Sequence, residues 1–128
     1  MRRWSGWLLG VLAWPVAAYG QWETIIESAT QTTAIESASL DRAANRVSFR
    51  LRQIPRDGQL DPGSQRPVRE ILLKRMVDCR KRQVATVSRA VFSDHDALIH
   101  HEAARPSRAD WHILSHDDPL FRRVCEAL

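Results

Sequence analysis

Lysine is nearly absent from this 128-residue chain: Lys74 and Lys81 are the only two, and the remaining basic residues are arginines. Cysteine is as scarce, with Cys79 and Cys125 alone, far apart and without a CxxC spacing. No G-x-S-x-G occurs and no tight glycine turn surrounds a serine, so the signature of an α/β-hydrolase nucleophile is missing. Beyond residue 20 no apolar run approaches the roughly 20 residues that a membrane-spanning helix needs. No internal repeat and no low-complexity segment appears.

What is present begins with the first twenty residues. Arg2 and Arg3 precede the apolar run "LLGVLAWPVAA", and Ala18 and Gly20 stand at the positions a signal peptidase inspects. A charged start, a short apolar run and a small-x-small site make a secretory signal peptide, so 1–20 is read as a signal and 21–128 as one domain. The run is short for a membrane anchor, and Pro15 interrupts it. No cysteine follows it, so no lipid anchor is expected. The chain carries 19 Lys+Arg against 15 Asp+Glu, a net of +4. Loss of Arg2 and Arg3 with the signal leaves 17 against 15, or +2. That is too modest an excess to point to nucleic acid. The expected location is the periplasm, with the cell surface or the medium as alternatives.

Export makes sense of the two cysteines. In an oxidising compartment they are expected to pair. Closing the chain from Cys79 to Cys125 is worth about 4 kcal/mol in the chain-entropy model, a large share of a small domain's stability.

The hydrophobic pattern reads as strands. "WETIIESAT" alternates Trp22, Thr24 and Ile26 against Glu23, Ile25 and Glu27. In "RVSFRLRQ" Val47, Phe49 and Leu51 face one way while Arg46, Ser48, Arg50 and Arg52 face the other, a half-buried strand of period two. "DRAAN" supplies a turn that pairs it with "TAIESASL" in a hairpin. "PRDGQLDPGSQRP" is a loop punctuated by Pro55, Gly58, Pro62, Gly63 and Pro67. "REILLKRMVDC" is a strand with Ile71, Leu73, Val77 and Cys79 on one face and Arg75 as the exception. "RKRQVATVSRAVF", "ALIHHE" and "WHIL" read as three further strands. At the end the period changes. Asp118 is an N-cap before Pro119, and Leu120, Val124 and Leu128 recur at helical spacing beside Phe121 and Cys125. The expected fold is α+β: a single antiparallel sheet of about six strands, with a C-terminal α-helix fastened to one face by the disulfide.

These pieces occur in a telling order: a tryptophan soon after the signal, "AIESASLDRAANRVSFRLRQ", "VDCRKRQ", a late tryptophan, and "LSHDDPLFRRVC". The order resembles that of small exported proteins of Gram-negative bacteria with a surface-adhesin protein E-like domain. Trp22, Ser39, Leu40, Asp78, Cys79, Trp111 and Cys125 occupy matching places, while Glu36 stands where that family has Asp and Phe49 where it has Trp. The resemblance covers nearly all of 21–128. It implies an antiparallel sheet with a C-terminal helix tied to it by a disulfide. It also implies an adhesin-like role, since the family's namesake contacts host extracellular proteins.

Chemistry is sparse. His95, His100, His101, His112 and His116 match no metal-ligand spacing, and His100 and His101, as strand neighbours, point to opposite faces. No metal and no cofactor is expected, with a histidine-based metal or haem binder as the remaining alternative. No nucleophile, base and oxyanion donors assemble in the sequence, so the chain is read as non-enzymatic. Trp22 and Trp111 are assigned to the core or its margin. The stronger functional feature is basic: Arg46, Arg50 and Arg52 on one strand face, and Arg80, Lys81 and Arg82 after Cys79. Guanidinium forks suit carboxylates, sulfates and phosphates, so a protein, an anionic glycan or another envelope component is the expected partner.

Overall fold

The computed structural model describes residues 21–126. The expected signal segment, and Leu128 of the expected helical stripe, lie outside the described residues.

Eight strands form one antiparallel sheet: β1 (Trp22–Glu27), β2 (Gln31–Glu36), β3 (Asp41–Ala43), β4 (Arg46–Pro55), β5 (Glu70–Asp78), β6 (Gln83–Phe92), β7 (Leu98–Ala103) and β8 (His112–Ile113). Their order is β1-β2-β4-β5-β6-β7, with β3 beside β4 and β8 beside β6. The six-strand path agrees with the expected sheet of about six strands, β8 lies within the expected short strand "WHIL", and β3 is a short addition.

The alternation in β4 sets the two faces. Val47, Phe49 and Leu51 are buried, and the register places Val47 opposite Val77 and Leu51 opposite Leu73. Ile35, Val84 and Val91 continue the same layer on β2 and β6. Each such side chain contributes roughly 1.5–3 kcal/mol by leaving water. The C-terminal segment lies on this face, with Leu120, Phe121 and Val124 buried in the same cluster. Arg75 interrupts the apolar row opposite Phe49, and its Nε donates to Thr86 Oγ1 at 2.9 Å. Burial lowers the pKa of its guanidinium, and the Asp118 carboxylate acts in the opposite direction.

Several boundaries differ from the sequence reading. The stretch "TAIESASL" does not run straight into its hairpin. A 3₁₀ turn over Ser37–Ser39 divides it into β2 and β3, both paired with β4. Ser39 causes the division: its hydroxyl donates to the Glu36 carbonyl at 2.6 Å and accepts from Arg50 N–H at 2.9 Å. The hairpin closes between Ala43 and Arg46, with Ala44 at φ 56°. In β1 a bulge between Thr24 and Ile26 resets the alternation, so Ile25 packs against the core and Ile26 is exposed.

The expected strand from Arg80 starts at Gln83 instead. Asp78 accepts from the backbone N–H groups of Arg80 and Lys81 at 3.1 and 3.0 Å, and Arg82 adopts φ 53°. Arg80–Arg82 is therefore a turn, and Cys79 lies at its start rather than in the strand. Trp111 precedes β8 rather than lying on it. The 56–69 loop is itself a folded tip: Asp61 accepts from Ser64 N–H at 2.8 Å, and Leu60 bridges to Pro67.

The helix begins as expected. The Asp118 carboxylate accepts from the Leu120 and Phe121 N–H groups at 2.8 and 3.4 Å, which satisfies two otherwise orphaned donors. Only Pro119–Phe121 is α-helical, and Arg122–Glu126 continues as a π-helical turn. The segment has three ties to the sheet. Its apolar side chains pack on the core, Cys125 is bonded to Cys79, and Arg123 forms a bidentate pair with Glu23 of β1 at 2.9 and 3.0 Å. That pair holds the Glu23 carboxyl below its usual pKa and raises that of Arg123.

Candidate functional site

The helix covers one face of the sheet, and the side chains that alternate away from it form the opposite face. The register carries that second face from strand to strand. Arg46 lies opposite Asp78, Ser48 opposite Met76, Arg50 opposite Lys74 and Arg52 opposite Leu72. On β6, Ser88 lies opposite Lys74 and Ala90 opposite Leu72.

The arginines expected on this face are there, and each has a partner. Arg46 Nε stands 3.9 Å from Asp78 Oδ2, and its guanidinium lies 4.8 Å from the centre of the Trp111 ring. Arg50 reaches Glu36 Oε1 at 2.7 Å through both Nε and a terminal nitrogen. Arg52 approaches Glu70 at 3.8 Å and stacks over the Trp22 ring at 4.6 Å. Cation–π contacts of this kind are worth about 0.5–1 kcal/mol at exposed sites. Trp22 and Trp111 are both half-buried, and both back an arginine of this face.

The turn adds Arg80, Lys81 and Arg82 at the Arg46 end of the face, since Arg46 pairs with Asp78. Arg82 is half-buried and donates to the Leu114 carbonyl at 3.0 Å, tying the turn to the segment after β8. Arg80 and Lys81 are exposed and carry no ion pair among the described residues. The six cations thus divide into four with internal partners and two turned to solvent.

A cavity of about 490 Å³ opens beside Arg50. Its lining includes Trp22, Asp41, Ser48, Arg50, Lys74 and Ser88. Lys74 went unmarked in the sequence reading. Its even spacing from Leu72 and Met76 was legible, but its position opposite Arg50 and Ser88 depends on register between distant segments. Trp22, expected in the core or at its margin, is half-buried and walls this cavity.

The histidines do not converge. His95, His100, His101, His112 and His116 are all exposed, with only His100 and His101 sharing a strand, and among the described residues no group of His, Cys, Asp and Glu is placed to hold a metal. No helix among the described residues is long and apolar enough to cross a membrane.

The family model described as "Surface-adhesin protein E" matches residues 22–126, nearly all of the described chain. The chain belongs to the surface-adhesin protein E family. The solved structure of Haemophilus influenzae protein E in crystal form II is similar, with a TM-score of 0.59 at 15% identity, covering 91% of this chain and 95% of that one. A second protein E structure gives 0.57 at 15% identity, covering 91% and 92%, and its selenomethionine form gives 0.55 at 15%, covering 88% and 89%. At that identity the likeness establishes the fold and nothing finer. No curated protein sequence matches the chain. Membership in a family of surface adhesins implies an exported binding protein. The adjacent Asp78 and Cys79 have a physical reason here: Asp78 pins the turn whose first residue, Cys79, bonds to the helix.

Proposed function

We propose that this protein E-family chain is a non-enzymatic binding module, exported after cleavage of residues 1–20. It contacts an anionic macromolecule of the host or the envelope through its helix-free face and the adjoining turn. One observation carries the reading. Among the described residues the buried core, the disulfide and the terminal helix lie on one face of the sheet, and the other carries the cations and a cavity. Within that surface Arg46, Arg50, Arg52 and Arg82 are held by internal partners and shape it, whereas Arg80 and Lys81 are free to meet an incoming anion. Forked and point cations on a rigid turn suit carboxylate, sulfate or phosphate groups.

The test takes the exported chain and measures saturable binding to envelope extracts and to host matrix proteins across a salt series. Screening weakens contacts between exposed charges, so affinity falls as salt rises. Reversing both free charges, Arg80→Glu with Lys81→Glu, is expected to weaken binding at least about tenfold without unfolding the chain, because both side chains are exposed and form no ion pair among the described residues. Unchanged affinity in that double variant would remove the turn from the contact surface. Protease treatment of intact cells then locates the partner: digestion places the protein on the cell surface, and protection until the outer membrane is opened places it in the periplasm. The mass of the recovered chain tests whether it starts at Gln21.

A further inference from the structure

The cavity on the helix-free face has the chemistry of a sugar site rather than of a general anion patch. We propose that it binds a sugar unit bearing a single carboxylate, a uronic or sialic type of acid, within a glycan. The inference rests on the reading of the helix-free face as the contact surface and names the group that this face selects.

Charge supplies the first argument. Arg50 and Lys74 stand directly opposite each other on adjacent strands, and like charges so placed repel. Glu36 neutralises Arg50 at 2.7 Å. Lys74 is exposed and has no ion-pair partner among the described residues. A sequence that keeps an uncompensated lysine against an arginine breaks a local rule, and such breaks concentrate where function needs them. One carboxylate from outside, set against Lys74, supplies the missing counter-charge.

The neighbouring groups fit sugar hydroxyls. Ser88 lies directly across from Lys74 and Ser48 lies two residues from Arg50 along β4 on the same face, both half-buried and without a hydrogen-bond partner among the described residues. Each hydroxyl can donate and accept. Asp41, exposed on the cavity's rim, can accept from further hydroxyls and repels a second carboxylate. Trp22 forms an aromatic wall, held in place by Arg52 stacked on it at 4.6 Å. The volume, about 490 Å³, lies within the ~300–1,000 Å³ of small-molecule sites.

An acidic peptide fits less well. Extended peptides bind by adding a strand to a sheet edge. This cavity lies over β4, β5 and β6, whose backbones are paired with strands on both sides. A run of peptide carboxylates would also crowd Asp41 and Glu36.

The experiment is a ¹H–¹⁵N NMR titration of the exported chain with glucuronate and N-acetylneuraminate. Glucose, acetate and oligo-glutamate serve as comparison probes. Saturable shifts at the Trp22 indole N–H and at the Ser48, Lys74 and Ser88 amides are expected with at least one acidic sugar. Glucose and acetate should bind at least about tenfold more weakly, since each lacks one half of the recognition. Lys74→Met should weaken the acidic sugar about tenfold with an otherwise unchanged spectrum, and Lys74→Arg should retain most of the affinity. Equal binding of acetate, unchanged binding by Lys74→Met, or no shift in the cavity would overturn the proposal. Oligo-glutamate shifting the same resonances as strongly would also overturn it, in favour of an acidic-peptide site. Failure here while the Arg80 and Lys81 double variant still loses its macromolecular partner would refute the sugar site alone.

Discussion

Breaking the Cys79–Cys125 bond tests how the helix is held. Replacing both cysteines by alanine opens a loop whose ends are 46 positions apart, and the chain-entropy model assigns this closure about 4 kcal/mol. For a domain near 100 residues, each kcal/mol moves the melting temperature by roughly 4–8 °C, so a fall of about 16–32 °C is expected. The structure also says where the loss should appear. Leu120, Phe121 and Val124 are buried at 4%, 8% and 2% exposure, the Asp118 cap is intact, and Arg123 grips Glu23. These ties do not involve sulfur. The helix should therefore stay docked in the native state of the double variant, and stability should fall through the larger freedom of the unfolded chain. Chemical denaturation with circular dichroism measures the free energy, and amide exchange at Phe121 and Val124 reports docking. A loss below about 1 kcal/mol would refute the entropic estimate. Fast exchange at those two amides under native conditions would show that the bond, and not the packing, seats the helix.

Two further outcomes follow from the same end of the molecule. Asp118→Ala should cost about 1 kcal/mol for the lost cap plus the loss of the charge facing Arg75, while Asp118→Asn keeps the cap and isolates the charge effect in denaturant melts. The Glu23–Arg123 pair, half exposed, is worth about 0.2–1 kcal/mol. Because Arg123 depresses the folded-state pKa of Glu23, that stabilisation is present above the ordinary glutamate pKa and is lost as pH falls through the depressed value. Wild type and Glu23→Gln should thus converge in melting temperature on acidification, and an undiminished gap at low pH would disprove the assignment.

Much of the fold was legible residue by residue. The period-two pattern of Val47, Phe49 and Leu51 assigned β4 and its buried face, because a strand with one wet side must alternate. Asp118 before Pro119 marked the helix start, because only such a residue can accept from the first free amides. Two cysteines behind an export signal pointed to their pairing. Less legible were the interruptions. Nothing local distinguishes Ser39 as the residue that divides β2 from β3, since its hydroxyl acts on Arg50 N–H eleven positions away. The bulge in β1 and the start of β6 at Gln83 likewise depend on partners across the sheet.

By itself the sequence determined the fold class, the faces of the central strands and the bond that joins helix to sheet, because these follow from periodicity and compartment chemistry. Tertiary structure alone decided the surface. It paired Arg46, Arg50 and Arg52 with acids and tryptophans drawn from other segments, and left Arg80, Lys81 and Lys74 without a carboxylate among the described residues. A charge's partner is set by strand register, and register between segments dozens of residues apart is an outcome of folding that no local pattern encodes.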